Sequence, residues 1–407
     1  MGIVLHELGA ARSTILERHA IGASFARWPR EMRFITPSFT SNSFGQRDLN
    51  AIALNTAPAC AVQREHPTGS EYAEYLKVLA GHFALPIQTD VDVLALEALP
   101  DGEGFIIRTS AGAVRSAFVI WATGEFQYPH SYPFPGAELC HHNAKIASWR
   151  ALAGDEATVI GGLESGIDAA YHLVLAGKRV RALDSAGRWE NETSDLSVSL
   201  SPYTRERLDG ALDAGRLELI GGALITEVTR HAAGYLIRDA DGEAWETAQP
   251  PILATGFSGS LQLVRDFFAW EAGHVILTER DESTHARGLF VVGPSVRHHN
   301  AIFCYIYKFR QRFAVVAETI GTRLGLDLCP LDAYRAHAMF LDDLSCCDAE
   351  CACWGHSAVR NGSPSCGRER RSGDRHRPFG RARAAILTAW TAGLSQGFQC
   401  RDCPLVR

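Results

Sequence analysis

The segment from Thr158 to Asp184 holds the residues whose types and spacing point most directly to chemistry. Thr158–Gly162 (TVIGG) is a short apolar run ending in glycines. LESGIDAAYHLVLAG follows with helical spacing, and KRVRALD then ends in Asp184. Gly161 permits a tight turn, and Gly166 lets a helix pack close to the preceding strand. The backbone N–H groups around Gly162, Glu164 and Ser165 would then face a pyrophosphate, with the positive end of the helix dipole behind them. Asp184 lies 23 residues after Gly161, near the spacing at which an acid accepts hydrogen bonds from a ribose 2′-OH. Such an acid would repel a 2′-phosphate and leans the site toward NADH, while Arg179, Arg181 and Arg188 nearby lean it the other way. Leu163 stands where a GxGxxG loop has its middle glycine. The plainer reading of this segment is an ordinary β–α–β turn, but its strand, helix and acid together favour a nucleotide.

Further strand ends repeat the theme. Ser116–Phe126 and Pro250–Gly259 are apolar runs that both reach Ala-Thr-Gly, at Thr123-Gly124 and at Thr255-Gly256. A buried strand stopping at so small and flexible a tripeptide suits contact with a cofactor at its carboxyl end. Gly288–Gly293 (GLFVVG) is another buried-strand candidate. It passes through Pro294, His298, His299 and Asn300 into a segment with Ile302, Ile306, Phe309, Phe313, Val316 and Ile320 at helical spacing. The spacing predicts a long helix with Asn300 as N-cap and its positive dipole end near Ala301. His298 and His299 are candidates for proton or hydrogen-bond donation, with a polar loop as the plainer alternative.

Composition bounds these readings. The chain has 407 residues, 46% apolar and 21% charged, which suits two or three folded domains and excludes a disordered or collagen-like chain. A net charge of −6 gives no electrostatic case for nucleic acid. No apolar run is long enough to suggest a membrane span. The first residues lack a basic-then-apolar signal pattern, so a cytoplasmic location is expected. Among eleven cysteines, Cys60, Cys140, Cys304 and Cys329 are isolated and expected to be buried free thiols. Cys346, Cys347, Cys351 and Cys353 crowd into CCDAECAC. Such thiols could hold a soft metal or exchange a disulfide, but the spacing is not that of zinc CxxC pairs, and no metal is expected. From Trp354 to Arg407 there are ten Arg against three acids, so residues 346–407 read as a Cys-rich, then Arg-rich, disordered tail.

The N-terminus resembles the end of a second β–α–β unit. Gly2–Ala11 reads as the second half of an amphipathic helix ending at Gly9, and Ser13–Arg18 as a strand ending in Glu17. The first strand and glycine loop of that unit are expected either roughly 15 residues upstream of Met1 or lost from the site.

Taken together, VIGGLESGIDAA, the two Ala-Thr-Gly ends, GLFVVGPS and the ERHAIGASFARWP segment from Glu17 resemble the flavoproteins with two dinucleotide-binding domains, the flavin-containing monooxygenase and thioredoxin-reductase-like group. The resemblance covers roughly Gly2 to Leu344. It implies an α/β fold of two Rossmann-like domains, the NAD(P)-binding domain being inserted into the FAD-binding domain. Residues 1–150 and 251–345 would form the FAD part, and 154–250 the NAD(P) part. It also implies FAD and NAD(P)H as cofactors, with a small-molecule substrate or electron acceptor. Carried over by motif, Glu17 would bind the FAD ribose, Ser24 and Trp28 would lie beside the flavin, and Val91 would lie by the adenine. Thr123, Gly124, Thr255 and Gly256 would line the cofactor clefts. Gly293 and Pro294 stand where relatives have Gly-Asp, so the ribityl contact of that Asp is absent. The helix start at Asn300–Phe303 would face the flavin pyrimidine ring.

Two departures bear on the reaction. The monooxygenase linker motif FxGxxxH is represented by Phe134 and Gly136, but Cys140 takes the His position, with His141 and His142 just after it. A dithiol reductase needs two neighbouring cysteines, and residues 154–250 contain none. Three readings result. The leading one is an FAD-dependent oxidoreductase that passes electrons from NAD(P)H to O2 or an organic acceptor. The second is a thiol-disulfide reductase using Cys346 and Cys347, and the third a non-catalytic nucleotide-binding protein.

Overall fold

A computed structural model describes residues 1–40, 47–100, 102–191, 196–232 and 234–345. The cluster at Cys346 and Cys347 and the Arg-rich tail lie outside the described residues. The chain opens with α1 (Gly2–Glu7), closed by Gly9 at φ +74°. Then come β1 (Ile15–Leu16), α2 (Ala23–Ala26), α3 (Pro58–Val62), α4 (Gly69–His82) and β2 (Ile87–Gln88), which pairs in parallel with β1. A reciprocal capping box between Thr68 and Glu71 starts α4. The antiparallel meander β3 (Val93–Ala98), β4 (Phe105–Thr109) and β5 (Gly112–Ser116) leads to β6 (Val119–Trp121), which stops just before Thr123-Gly124.

The middle of the chain is β7 (His141–His142), β8 (Glu156–Ile160), α5 (Glu164–Leu175), β9 (Arg179–Asp184), α6 (Pro202–Asp213), β10 (Leu217–Gly221), the antiparallel β11 (Ile225–His231), β12 (Gly234–Asp239) and β13 (Ala244–Thr247), and β14 (Ile252–Leu253). Five of these strands form one parallel sheet in the order β10-β9-β8-β14-β7. It draws its edge strand β7 from before residue 154. α5 buries Ala170, Leu173 and Val174 against this sheet, while Ile167 packs with Leu200 and with Leu208 of α6 and Tyr171 is only partly covered. Gly177, at φ +86°, closes α5 by donating its N–H to the Val174 carbonyl.

The last part holds the β15 (Ala269–Glu271) and β16 (His274–Ile276) hairpin, β17 (Leu289–Val291) parallel to β6, the β18 (Arg297–His298) and β19 (Ala301–Ile302) hairpin, α7 (Ile306–Leu324) and α8 (Leu331–Ala336). Val4 and Leu5 of α1 and its C-cap Leu8 pack with Phe313, Val316 and Ile320 of α7 in one buried cluster. The two ends of the described chain therefore share a core, with the five-stranded sheet between them in sequence.

Two expectations need correction. The long helix starts not at Asn300 but at Ile306, with Tyr305 as its N-cap residue. Arg297–His298 instead pairs back on Ala301–Ile302 through a turn at His299 (φ +51°) and Asn300. Ile302, which continues the helical spacing in sequence, is spent on that hairpin. Asn300 and Ala301 thus carry no helix-dipole end. Of the isolated cysteines, Cys60 and Cys140 are partly buried, but Cys304 is exposed and Cys329 is disulfide-bonded.

Candidate nucleotide clefts

The turn from β8 to α5 is built by its glycines. Gly161 lies at φ +108°, and a Cβ there would come within 2.4 Å of the Ala254 carbonyl oxygen. A Cβ on Gly166 would stand 1.9 Å from the carbonyl oxygen of Gly161. The helix start is therefore pressed directly onto the turn. Gly162 N–H donates to Asp184 Oδ2 at 2.7 Å, while Asp184 Oδ1 accepts from Ala186 N at 2.9 Å and Gly187 N at 2.8 Å. The Trp189 indole N–H donates to the Gly162 carbonyl at 2.9 Å. Asp184 thus fastens the glycine turn to the end of β9.

The other residues of this loop divide between solvent and structure. Leu163, in place of the middle glycine, is 49% exposed at the N-cap of α5. Ser165 is half-buried in the first helical turn. Glu164 turns away toward α6, where it accepts from Ser201 N–H and the Thr204 hydroxyl. Burial pushes its carboxyl pKa up despite these bonds. Arg179 pairs with Glu156 and Arg181 with Glu218, and Arg188 is exposed.

The chain just after the first Ala-Thr-Gly end, Tyr128–His130, meets the second. Gly256 carbonyl accepts from His130 N–H at 3.0 Å, and Ser258 N–H donates to the Tyr128 carbonyl at 2.8 Å. Thr255 Oγ1 donates to the His130 carbonyl at 2.7 Å. His142, from β7, completes the lacing. Its Nδ1 accepts from Ala144 N–H at 3.2 Å, which puts the proton on Nε2, and this donates to Gly256 carbonyl at 3.0 Å. Burial lowers the His142 pKa, so the neutral ring is the form held there. The position of His142, just after the expected linker-motif His, was the only sequence signal for this role. Cys140, which takes that position, has its thiol pushed up to about 12 by burial.

Gly124 (φ +64°), Gly256 (φ +76°) and Gly293 (φ +105°) each have open space where a Cβ would stand. Beside them, Thr123 Oγ1 is buried without a partner. Gln127 donates its side-chain N–H to the Thr123 carbonyl and accepts from Arg18, which pairs with Asp92 at 2.7 Å. Glu17 and Val91 adjoin this chain, with Val91 N–H donating to the Glu17 carbonyl at 3.0 Å. Ser24 sits on α2, and the Trp28 ring packs on Phe25 and Phe34 at 5.3 and 4.9 Å. A buried hydroxyl without a protein partner, beside left-handed glycine tips with free space, fits a cofactor laid across these strand ends.

His298 is not part of this edge. It is buried and bonds Asp281 Oδ1 at 2.5 Å, while Asp281 also takes two bonds from the fully buried Arg312 at 2.9 Å. Its ring anchors the β18–β19 hairpin, and His299 and Asn300 lie at the hairpin tip. Among the described residues, no group of three or more His, Cys, Asp or Glu could hold a metal ion. No described helix is long and apolar enough to cross a membrane.

Comparison with known proteins adds three findings. Residues 1–293 match the family described as pyridine nucleotide-disulphide oxidoreductase. The bacilliredoxin reductase of Bacillus subtilis is 24% identical over 223 residues, which are 54% of this chain and 66% of that protein, just under two thirds of its length. Two solved structures share the fold across 79% of this chain and 95% of theirs. They are a bacillithiol disulfide reductase from Staphylococcus aureus (TM-score 0.63, 16% identity) and a flavin-containing monooxygenase from Stenotrophomonas maltophilia (TM-score 0.60, 15% identity).

Proposed function

Because the chain belongs to the pyridine nucleotide-disulphide oxidoreductase family, whose members use FAD and NAD(P)H, we propose that it oxidises NAD(P)H and passes the electrons to O2 or an organic acceptor. The observation that carries this reading is the orphaned Thr123 Oγ1 at a strand end next to Gly124, whose Cβ position is open space. Residues 1–150 and 251–345 would hold FAD, and residues 154–250 would hold NAD(P)H. Bound flavin and nicotinamide supply the hydride chemistry, while the protein supplies position and electrostatics. In this reading Thr123 Oγ1 hydrogen-bonds the flavin cofactor. Gly124 and Gly293 leave room for its close approach. Gly161, Gly162 and Ser165 present backbone N–H groups to the pyrophosphate of NAD(P)H. His142 holds the Gly256 tip, and Asp184 holds the glycine turn.

A thiol-disulfide reductase is the second reading, favoured by the likeness to the bacilliredoxin reductase. Cysteines 346 and 347 would form its exchanging pair. The two readings separate in one experiment, the rate of NAD(P)H oxidation with O2 alone and with an added low-molecular-weight disulfide. The first reading expects turnover with O2 or an organic acceptor that survives Cys346→Ser and Cys347→Ser. Turnover that needs the disulfide and vanishes in those variants overturns it in favour of the second.

A further inference from the structure

A cleft of about 690 Å³ opens beside the last two turns of α5, lined by Arg30, Arg33, Arg150, Tyr171, His172 and Tyr203 among others. At 1.5 Å per residue, Tyr171 stands roughly 10 Å along the helix from the glycine loop, so this is a separate place on the protein. No carboxylate among the described residues pairs with Arg30, Arg33 or Arg150. Glu31, the one acid in the lining, is spent on its own loop. One oxygen accepts from the Ser148 hydroxyl at 2.5 Å and the other from Trp149 N–H at 3.0 Å. The lining thus carries three cations against one anion.

A buried arginine adds positive charge behind this lining. Arg207 is 5% exposed and lies behind the cleft wall, its guanidinium 4.5 Å from the Tyr171 ring and 4.9 Å from the Tyr203 ring. Nη2 bonds Asp168 at 2.6 Å and His172 Nε2 at 2.8 Å, but Nε and Nη1 have no partner. Buried guanidinium donors are rarely left without an acceptor. The His66 ring stacks on Tyr203 at 3.7 Å and helps fix that ring.

We propose that this cleft is a second anion-binding site, taking a small molecule that carries a phosphate monoester. The net charge of the lining matches a group that carries about −1.5 to −2 at neutral pH. Planar guanidinium forks suit its oxygens, and the partly covered Tyr171 ring in the lining offers an apolar surface to the organic part. The lining joins residues 30–33 and 150 to α5 and α6, so an occupant would tie these segments together. This inference goes beyond the proposed oxidoreductase activity and does not depend on it.

The test is calorimetric titration of the full chain at fixed ionic strength with phenyl phosphate, and with citrate as a carboxylate control. Saturable binding of phenyl phosphate that exceeds that of citrate is expected. The variant Arg30→Ala/Arg150→Ala, both exposed residues, should weaken it at least about tenfold with an unchanged circular dichroism spectrum. No saturation of the wild type below about 10 mM overturns the proposal, as does equal or tighter citrate binding. Binding within about twofold in the double variant overturns it too, because the phosphate would then sit elsewhere, such as at the glycine loop.

Discussion

Gly166→Ala is the sharpest perturbation of the nucleotide turn. A Cβ at that position stands 1.9 Å from the Gly161 carbonyl oxygen. Relief to an ordinary contact of 3.4 Å needs a displacement of roughly 1.5 Å, between a helix start and a turn that are both backbone, so no side chain can swing aside. Overpacking of this kind costs about 1–3 kcal/mol of stability. A misplacement of about 1 Å between reacting groups can cost about 10²-fold in rate. With FAD saturating, anaerobic stopped-flow reduction by NAD(P)H should therefore slow about 100-fold in the variant, while FAD affinity stays unchanged. Gly162→Ala meets the side chains of Asp184 (2.7 Å) and Trp189 (2.8 Å) instead of backbone and should show an intermediate loss. Reduction of Gly166→Ala within about threefold of wild type would refute the argument that close packing of α5 on the turn creates the site.

Other outcomes follow from the same structure. Asp281→Ala leaves the buried Arg312 charge without its carboxylate and should cost about 3–5 kcal/mol in thermal or denaturant unfolding; Asp281→Ala/Arg312→Met should recover part of that loss, and a double variant as weak as the sum of the singles contradicts it. Brief alkylation at pH 8 followed by mass spectrometry should label the exposed Cys304 well ahead of Cys140, whose thiol is pushed up to about 12. Burial raises the Asp48 carboxyl to about 6, above its unfolded value near 3.9. The folded state then binds the proton more tightly. This residue's contribution should improve stability as pH falls from about 7 through 6 toward 4, and Asp48→Asn should flatten that part of the pH profile.

The β8–α5–β9 unit was legible because its signals are local: an apolar run, glycines at a turn and a 3.6-residue period. The same holds for α1, closed by Gly9, and for the Gly177 cap. What escaped was set at long range. Asp184, read as a ribose contact, also fastens its own turn, and the Glu164 side chain braces α6. Either role depends on where α6 and the Ala186-Gly187 turn fall in space, which no local pattern encodes. The lacing of His142 to Gly256 and Thr255 to His130 joins segments more than a hundred residues apart. The β18–β19 hairpin hid inside a helical period because each of its strands has two residues, too few for an alternating pattern to register. His298 looked like a polar loop residue because its partner Asp281, in the loop before β17, and Arg312 of α7, which shares that carboxylate, lie far along the chain.

The most direct measurement is absorbance spectroscopy on the purified chain after incubation with FAD and gel filtration, followed by anaerobic addition of NADH or NADPH. Flavin bands near roughly 370 and 450 nm should elute with the protein, and the longer-wavelength band should bleach on addition of one nicotinamide. Flavin that elutes only with the small molecules, or protein-bound flavin that neither nicotinamide bleaches, would contradict the account.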